Sequence, residues 1–344
     1  MRLTDKFHCF LFGAALLFCA LLQISCSAKK PKAVNVSAPP PPQQVPPTRM
    51  FAPYLATWQP QHEIGQIAHV SGIQYFTLAF VISNPNACLP KWAGKKPVAE
   101  ESEIPGEIAG LRNRGGDVII SFGGANGKEL GQTCQDAASL QAAYQSVIDK
   151  YNVRMLDFDI EAAAIRDPAS IDRRNVALAA LESANPGLTI SFTLAASPEG
   201  LLPEGQNLLK NASEHNVKVA TVNILAMDYD KDADPNGMGL NAISAATHTL
   251  QQLKSIGLNA NLGAPSLGIT VMVGRNDVSP EVFAQSDAQA VLNFAQANSD
   301  VHLLSMWAVG RDRSCPGEAK IVSGTCSGIT QQPYEFAHIF EKFQ

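Results

Sequence analysis

From residue 50 onward, short runs of β-branched and aromatic residues alternate with longer stretches whose apolar positions recur every three or four residues. The first kind predicts strands over 50–58, 75–83, 117–124, 153–161, 188–196, 219–229, 267–273 and 302–309. The second predicts helices that include 139–151, 173–184, 243–257, 288–298 and 333–343. Eight strand–helix units over 50–344, with connections short enough for right-handed crossovers, predict an α/β protein folded as one (β/α)8 TIM barrel. An open doubly wound sheet is the other arrangement this alternation allows. No G-x-G-x-x-G follows the first run, so a dinucleotide is not implied.

The fourth run departs from the others. In "MLDFDIEAA" the acids Asp157, Asp159 and Glu161 occupy every second position among apolar residues. A strand sends alternate side chains to opposite faces, so Leu156, Phe158 and Ile160 would face the helices. The three acids would then point into the barrel and climb toward its carboxyl end, where such folds carry their chemistry. Neighbouring acids on one strand face lie about 6–7 Å apart, and in a partly dry site at least one proton must be shared or retained. A carboxylic acid poised to donate is the result. A strand with one solvated polar face and a metal site are the competing readings; no histidine lies nearby in sequence to favour the metal.

Composition narrows the partners. With 46% hydrophobic and 17% charged residues, a net charge of −5 and a pI near 5.8, the chain suits a globular domain without a basic nucleic-acid face. Residues 1–28 open with Arg2 and Lys6, continue through an apolar run and end in small residues, which predicts a signal peptide and an exported, secreted or cell-envelope protein. Cys26 sits where a lipidated cysteine would give membrane attachment. Residues 29–49 are proline-rich, with seven prolines between 31 and 48, and predict an extended, disordered linker. The catalytic domain would then occupy 50–344. Outside the leader, Cys88, Cys134, Cys315 and Cys326 form an even set in an exported chain. Cys315 and Cys326 are near enough to close one loop, which leaves Cys88 for Cys134.

The stretch "LDFDIE" resembles the fourth-strand signature of glycoside hydrolase family 18, the retaining chitinases, usually written D-x-x-D-x-D-x-E. Asp157, Asp159 and Glu161 match its last three acids, while Arg154 stands at the first aspartate and Met155 replaces the usual glycine. "SFGG" (Ser121, Phe122, Gly123, Gly124) resembles the S-x-G-G of the third strand, and "MDYD" (Met227, Asp228, Tyr229, Asp230) the M-x-Y-D of the sixth. Trp307 falls where the family has the tryptophan beneath the reacting sugar.

The resemblance implies hydrolysis of chitin or chitooligosaccharides by substrate-assisted catalysis, with no cofactor and no metal. Glu161 would be the acid and base, Asp159 would orient the sugar's acetamido group, Asp157 would exchange a proton with Asp159, and Tyr229 would donate to the acetamido oxygen. Asp230, Met227, Ser121, Gly123, Gly124, Trp307, Tyr54 and Trp58 would contact sugar, with Trp92 a further platform or a residue packed on the Cys88 disulfide. Only 28 residues, 274–301, separate the seventh and eighth strands. That is too few for the α+β insertion of many processive relatives, so a shallow groove, endo cutting and a monomer are expected. An enzyme cutting the core of N-glycans and a non-catalytic, lectin-like relative are the alternatives.

Overall fold

Eight parallel strands, each followed by a helix, build the barrel around one axis. They are β1 (Met50–Phe51, resumed at Tyr54–Ala56), β2 (Tyr75–Asn84), β3 (Asp117–Gly123), β4 (Met155–Asp159), β5 (Thr189–Ser197), β6 (Val219–Ala226), β7 (Ser266–Met272) and β8 (Val301–Trp307). The helices are α1 (Ile64–Ser71), α2 (Ile104–Arg112), α3 (Ala137–Tyr151), α4 (Pro168–Ala184), α5 (Pro203–Glu214), α6 (Met238–Ile256), α7 (Gln285–Ala297) and α8 (Glu335–Phe340). This computed structural model describes residues 46–343 apart from 60–62, 85–86, 230–232 and 259–263. The expected leader, Cys26 and most of the proline-rich segment therefore lie outside the described residues.

The break in β1 closes the barrel. Met50 pairs with Leu303 of β8, whereas Tyr54 pairs with Thr77 of β2. Pro53, between the two halves, lacks an N–H but its carbonyl accepts from Thr77 at 3.0 Å. Helix starts are set by local chemistry: the Asp136 carboxylate caps α3 by accepting from the Ser139 N–H at 2.7 Å, and Pro168 and Pro203 occupy the first turns of α4 and α5. The expected helices are present. Helices α1, α2 and α5, and an antiparallel hairpin of Ala87–Trp92 and Lys96–Pro97 after β2, have no counterpart among the segments read from periodicity.

Three layers fill the interior. At the foot, Ala52, Tyr75, Ile119, Met155 and Leu303 form an apolar plug. Above it, inward positions are polar and hydrogen-bonded to one another: Asn223 donates to Thr193 at 2.9 Å and to Thr270 at 2.7 Å, and Ser305 and Thr77 donate to the Ala52 carbonyl. Tyr54, Phe80 and Trp307 make the top layer. Outward positions such as Leu156, Phe158, Ile190 and Phe192 join the main core under the helices, where Phe158 meets Phe122 and Tyr144 at 5.2 and 5.1 Å between ring centroids.

Residues 46–49, expected to belong to a disordered linker, are instead docked at the foot. Arg49 donates to the carbonyls of Gln296 and Asn298 and lies 5.5 Å from the centre of the Phe343 ring. Both outer cystine pairs form as anticipated, Cys88–Cys134 and Cys315–Cys326. Between β7 and β8 there is a two-stranded turn (Gly274–Arg275 with Val282–Phe283) and α7. Among the described residues, no helix is long and apolar enough to cross a membrane.

Candidate active site

A cleft of about 520 Å³ opens at the carboxyl ends of the strands, and Asp159, Glu161, Asp228 and Asp277 all line it. Its floor is aromatic. Phe80 and Trp307 stack at 5.6 Å and 15°, and Trp58, 43% exposed, extends the surface toward solvent against Phe80. Such a flat apolar floor suits the face of a sugar ring. Phe80 was not legible in the sequence as a floor residue. It enters the cleft because the β2–β3 register shifts between Leu78 and Val81, adding a residue that breaks the strand's alternation.

Asp157 is held below the cleft by a cage of hydroxyls. Ser121 and Ser191, its register partners on β3 and β5, donate at 2.6 and 2.8 Å, and Thr193 and Tyr54 at 2.7 and 3.0 Å. Burial raises its pKa, and these donors pull it back only in part. Ser121 and Tyr54 were expected at the sugar. Both are instead buried beneath it as supports of Asp157.

Asp159, 2% exposed, has one carboxyl oxygen without a hydrogen-bond partner among the described residues and a side-chain hydrogen bond to Glu161. Burial first, then the charges of Glu161 and Asp157, push its pKa well above the usual carboxylate range. Glu161 stands just beyond β4, where Ile160 N–H bonds the Thr193 carbonyl and a turn begins at Ala162 with φ of 49°. Its pKa is raised to about 7 by burial, opposed by the Asp159 hydrogen bond and reinforced by Asp228. The two carboxyls therefore share a proton at neutral pH, with Glu161 facing the cleft.

The glycines of β3 allow this closeness. A Cβ on Gly123 would lie 2.0 Å from the Asp159 carbonyl oxygen, and one on Gly124 2.7 Å from the Phe80 ring. Met227 lines the cleft as expected. Tyr229 is buried, its hydroxyl has no partner among the described residues, and burial with the nearby Glu281 raises its pKa. Asp230 lies outside the described residues. Trp92 is no sugar platform, for it is buried with its ring N–H donating to the Tyr151 hydroxyl at 2.6 Å. No group of three or more His, Cys, Asp or Glu side chains among the described residues is arranged to hold a metal ion.

Comparison with known proteins gives a consistent picture. No family model matches the chain. It is 36% identical over 324 residues to a probable bifunctional chitinase/lysozyme of Escherichia coli, covering 88% of this chain and 35% of that protein. It is 35% identical over 287 residues to endochitinase 11 of Metarhizium anisopliae, covering 79% of this chain and 54% of the relative. The chain thus spans about a third and about half of these two curated relatives. Catalytic-site mutants of active domain 2 of a thermostable chitinase from Pyrococcus furiosus, solved with chito-oligosaccharides, superpose with a TM-score of 0.78 at 32% identity. That match covers 89% of this chain and 97% of the solved one.

Proposed function

The chain belongs to the glycoside hydrolase family 18 chitinases, and we propose that it is an endo-acting, retaining chitinase that cleaves β-1,4 bonds between N-acetylglucosamine units. The observation that carries the reading is Glu161. It is a carboxyl with a pKa raised to about 7, hydrogen-bonded to buried Asp159, at the edge of a cleft floored by Trp307 and Phe80.

The Asp159–Glu161 pair carries one proton between them. When a sugar seats on the floor, its acetamido N–H engages Asp159, and the shared proton is left on Glu161. Glu161 gives that proton to the glycosidic oxygen as the bond from the anomeric carbon breaks. The substrate's acetamido oxygen bonds the same carbon from the opposite face, forming an oxazolinium ion, and Asp159 stabilises its positive charge. Water then attacks the anomeric carbon and displaces the acetamido oxygen, which regains its amide form, while Glu161 takes the water's proton. Two inversions leave the configuration retained, an exception to the two-carboxylate scheme. Tyr229, whose buried hydroxyl has no partner among the described residues, would donate to the acetamido oxygen while Asp159 holds the N–H.

The short β7–β8 connection leaves the cleft open, which favours internal cutting without marked processivity. No step calls for a metal or organic cofactor. Export through the leader and action as a monomer belong to the same proposal.

Incubation of the domain with chitohexaose tests it. β-Anomeric dimers to tetramers among the early products, absent with Glu161→Gln, are expected. Sugar binding without cleavage in both proteins would instead point to a lectin-like relative, and release of N-glycans from a glycoprotein incubated in parallel to the other enzymatic alternative.

A further inference from the structure

We infer that Lys95 is a specificity-determining residue, which makes one end of the cleft refuse sugar units whose acetamido group has been exchanged for a charged amine. The inference rests on the chitinase reading and deepens it, since it concerns the units beside the reacting one. Chitin is neutral, so an exposed charge on the wall of its cleft has no partner on a fully acetylated chain. Among the described residues that line the cleft, Lys95 is the one cation.

The fold holds Lys95 there. Ala93 and Gly94 both have positive φ, 49° and 70°, and the Lys95 N–H closes their two-residue turn on the Trp92 carbonyl at 2.9 Å. The Ala93 N–H bonds the Phe80 carbonyl at 2.9 Å, so the turn is tied to the backbone of a floor residue. Ile82 sits behind it: a Cβ on Gly94 would lie 3.2 Å from its Cδ1, and one on Gly127, in the loop after β3, 2.4 Å. Hairpin and loop thus close on one side chain. The neighbouring lysine is used differently. Successive residues of a strand point to opposite faces, and Lys96 pairs with Glu101 at 2.9 Å. No carboxylate among the described residues pairs with Lys95, which stays exposed at the cleft.

The far wall carries the other sign. β2 and β6 lie four strands apart in the ring of eight, so the hairpin and the end of β6 face each other across the mouth. There Asp228, turned into the cleft by a left-handed φ of 51°, accepts from the Val278 N–H at 3.0 Å, and the exposed Asp277 also lines the wall. A deacetylated sugar unit is an ammonium ion at acid pH. It meets a like charge at the hairpin and opposite charges at the far wall, over a reach of several ångströms that salt shortens. The cleft therefore discriminates by position along the bound chain: glucosamine is barred beside Lys95 and admitted beside Asp277.

Two probes test this, glucosamine hexaose and chitohexaose, titrated by NMR into protein carrying Glu161→Gln so that both stay intact. The readout is the Kd for glucosamine hexaose divided by that for chitohexaose, at a pH where the amines are protonated. Adding Lys95→Gln is expected to lower this ratio by on the order of fivefold. The difference should vanish at a pH where the amines are neutral, and in 1 M salt, where charges are felt over only about 3 Å. Lys91→Gln, which takes the same charge from the same hairpin outside the cleft lining, should leave the ratio in place. A ratio that Lys95→Gln does not move, or a change that survives salt and neutral amines, or one that Lys91→Gln reproduces, would overturn the inference. Failure of the chitinase reading shows separately, as no cleavage of chitohexaose by the protein with Glu161 intact, and the binding ratio would still judge Lys95. Binding of neither hexamer would overturn both.

Discussion

Glu161 keeps its proton to about pH 7 because burial and Asp228 together outweigh the hydrogen bond from Asp159. As the acid, it must hold the pair's proton once the sugar has engaged Asp159, so kcat/KM should fall as pH rises through about 7. A rate that climbs steadily from pH 6 to 9 would remove Glu161 from that role. The same proton bears on stability. A carboxyl whose pKa is raised by folding stabilises the fold fully below the ordinary carboxylate range and ceases to do so as pH rises through about 7. Glu161→Gln should therefore gain relative to wild type between pH 5 and 8, by about 3 kcal/mol at most, in urea melts at the two pH values. An equal offset at both would show that the Glu161 pKa is ordinary. Asp159→Asn should lower kcat by roughly 10²-fold or more, since it removes both the shared proton and the charge near the acetamido group.

At the level of strands, the polar layer was open to reading before any coordinate. In β5, Thr189, Ser191 and Thr193 alternate with Ile190, Phe192 and Leu194, as the acids alternate in β4, and a barrel strand has no solvent face to receive them. Alternation does not say which hydroxyl meets which carboxylate; that follows from the pairing of Asp157 with Ser191 and Ser121. Thr193 serves Asp157, Tyr54 and Asn223 at once. Thr193→Val keeps the shape but orphans buried polar groups, so it should cost about 2–3 kcal/mol in denaturant melts. A second buried group lies behind the β3 loop, where Glu129 accepts from Arg174, Tyr144 and the Gly131 N–H. Arg174→Leu would leave that carboxylate uncompensated, with a loss of about 3–5 kcal/mol expected. Phe80 and the inward turn of Asp228 escaped the sequence for a common reason. Each depends on a local break in regular backbone, one a register shift and the other a left-handed residue, and neither break follows from hydrophobic periodicity.

For the whole molecule, eight apolar runs and the cysteine spacing were enough to anticipate the barrel and both cross-links. The helices that were missed have faint signals: α2 contains two glycines and a proline, and α5 follows β5 by a turn of only a few residues. The cross-links differ in span, 46 residues for Cys88–Cys134 and 11 for Cys315–Cys326. By loop entropy alone the longer should stabilise by about 4 kcal/mol and the shorter by about 3 kcal/mol. Paired Cys→Ser variants should rank in that order in thermal melts. The clasp of Arg49 at the foot of the barrel has a practical bearing as well. Because the polypeptide arrives at the end of the barrel remote from the cleft, coupling the protein to a bead through its leading end presents the mouth outward to an insoluble solid. Coupling through the 315–326 loop, on the same end as the mouth, would turn the working face toward the support.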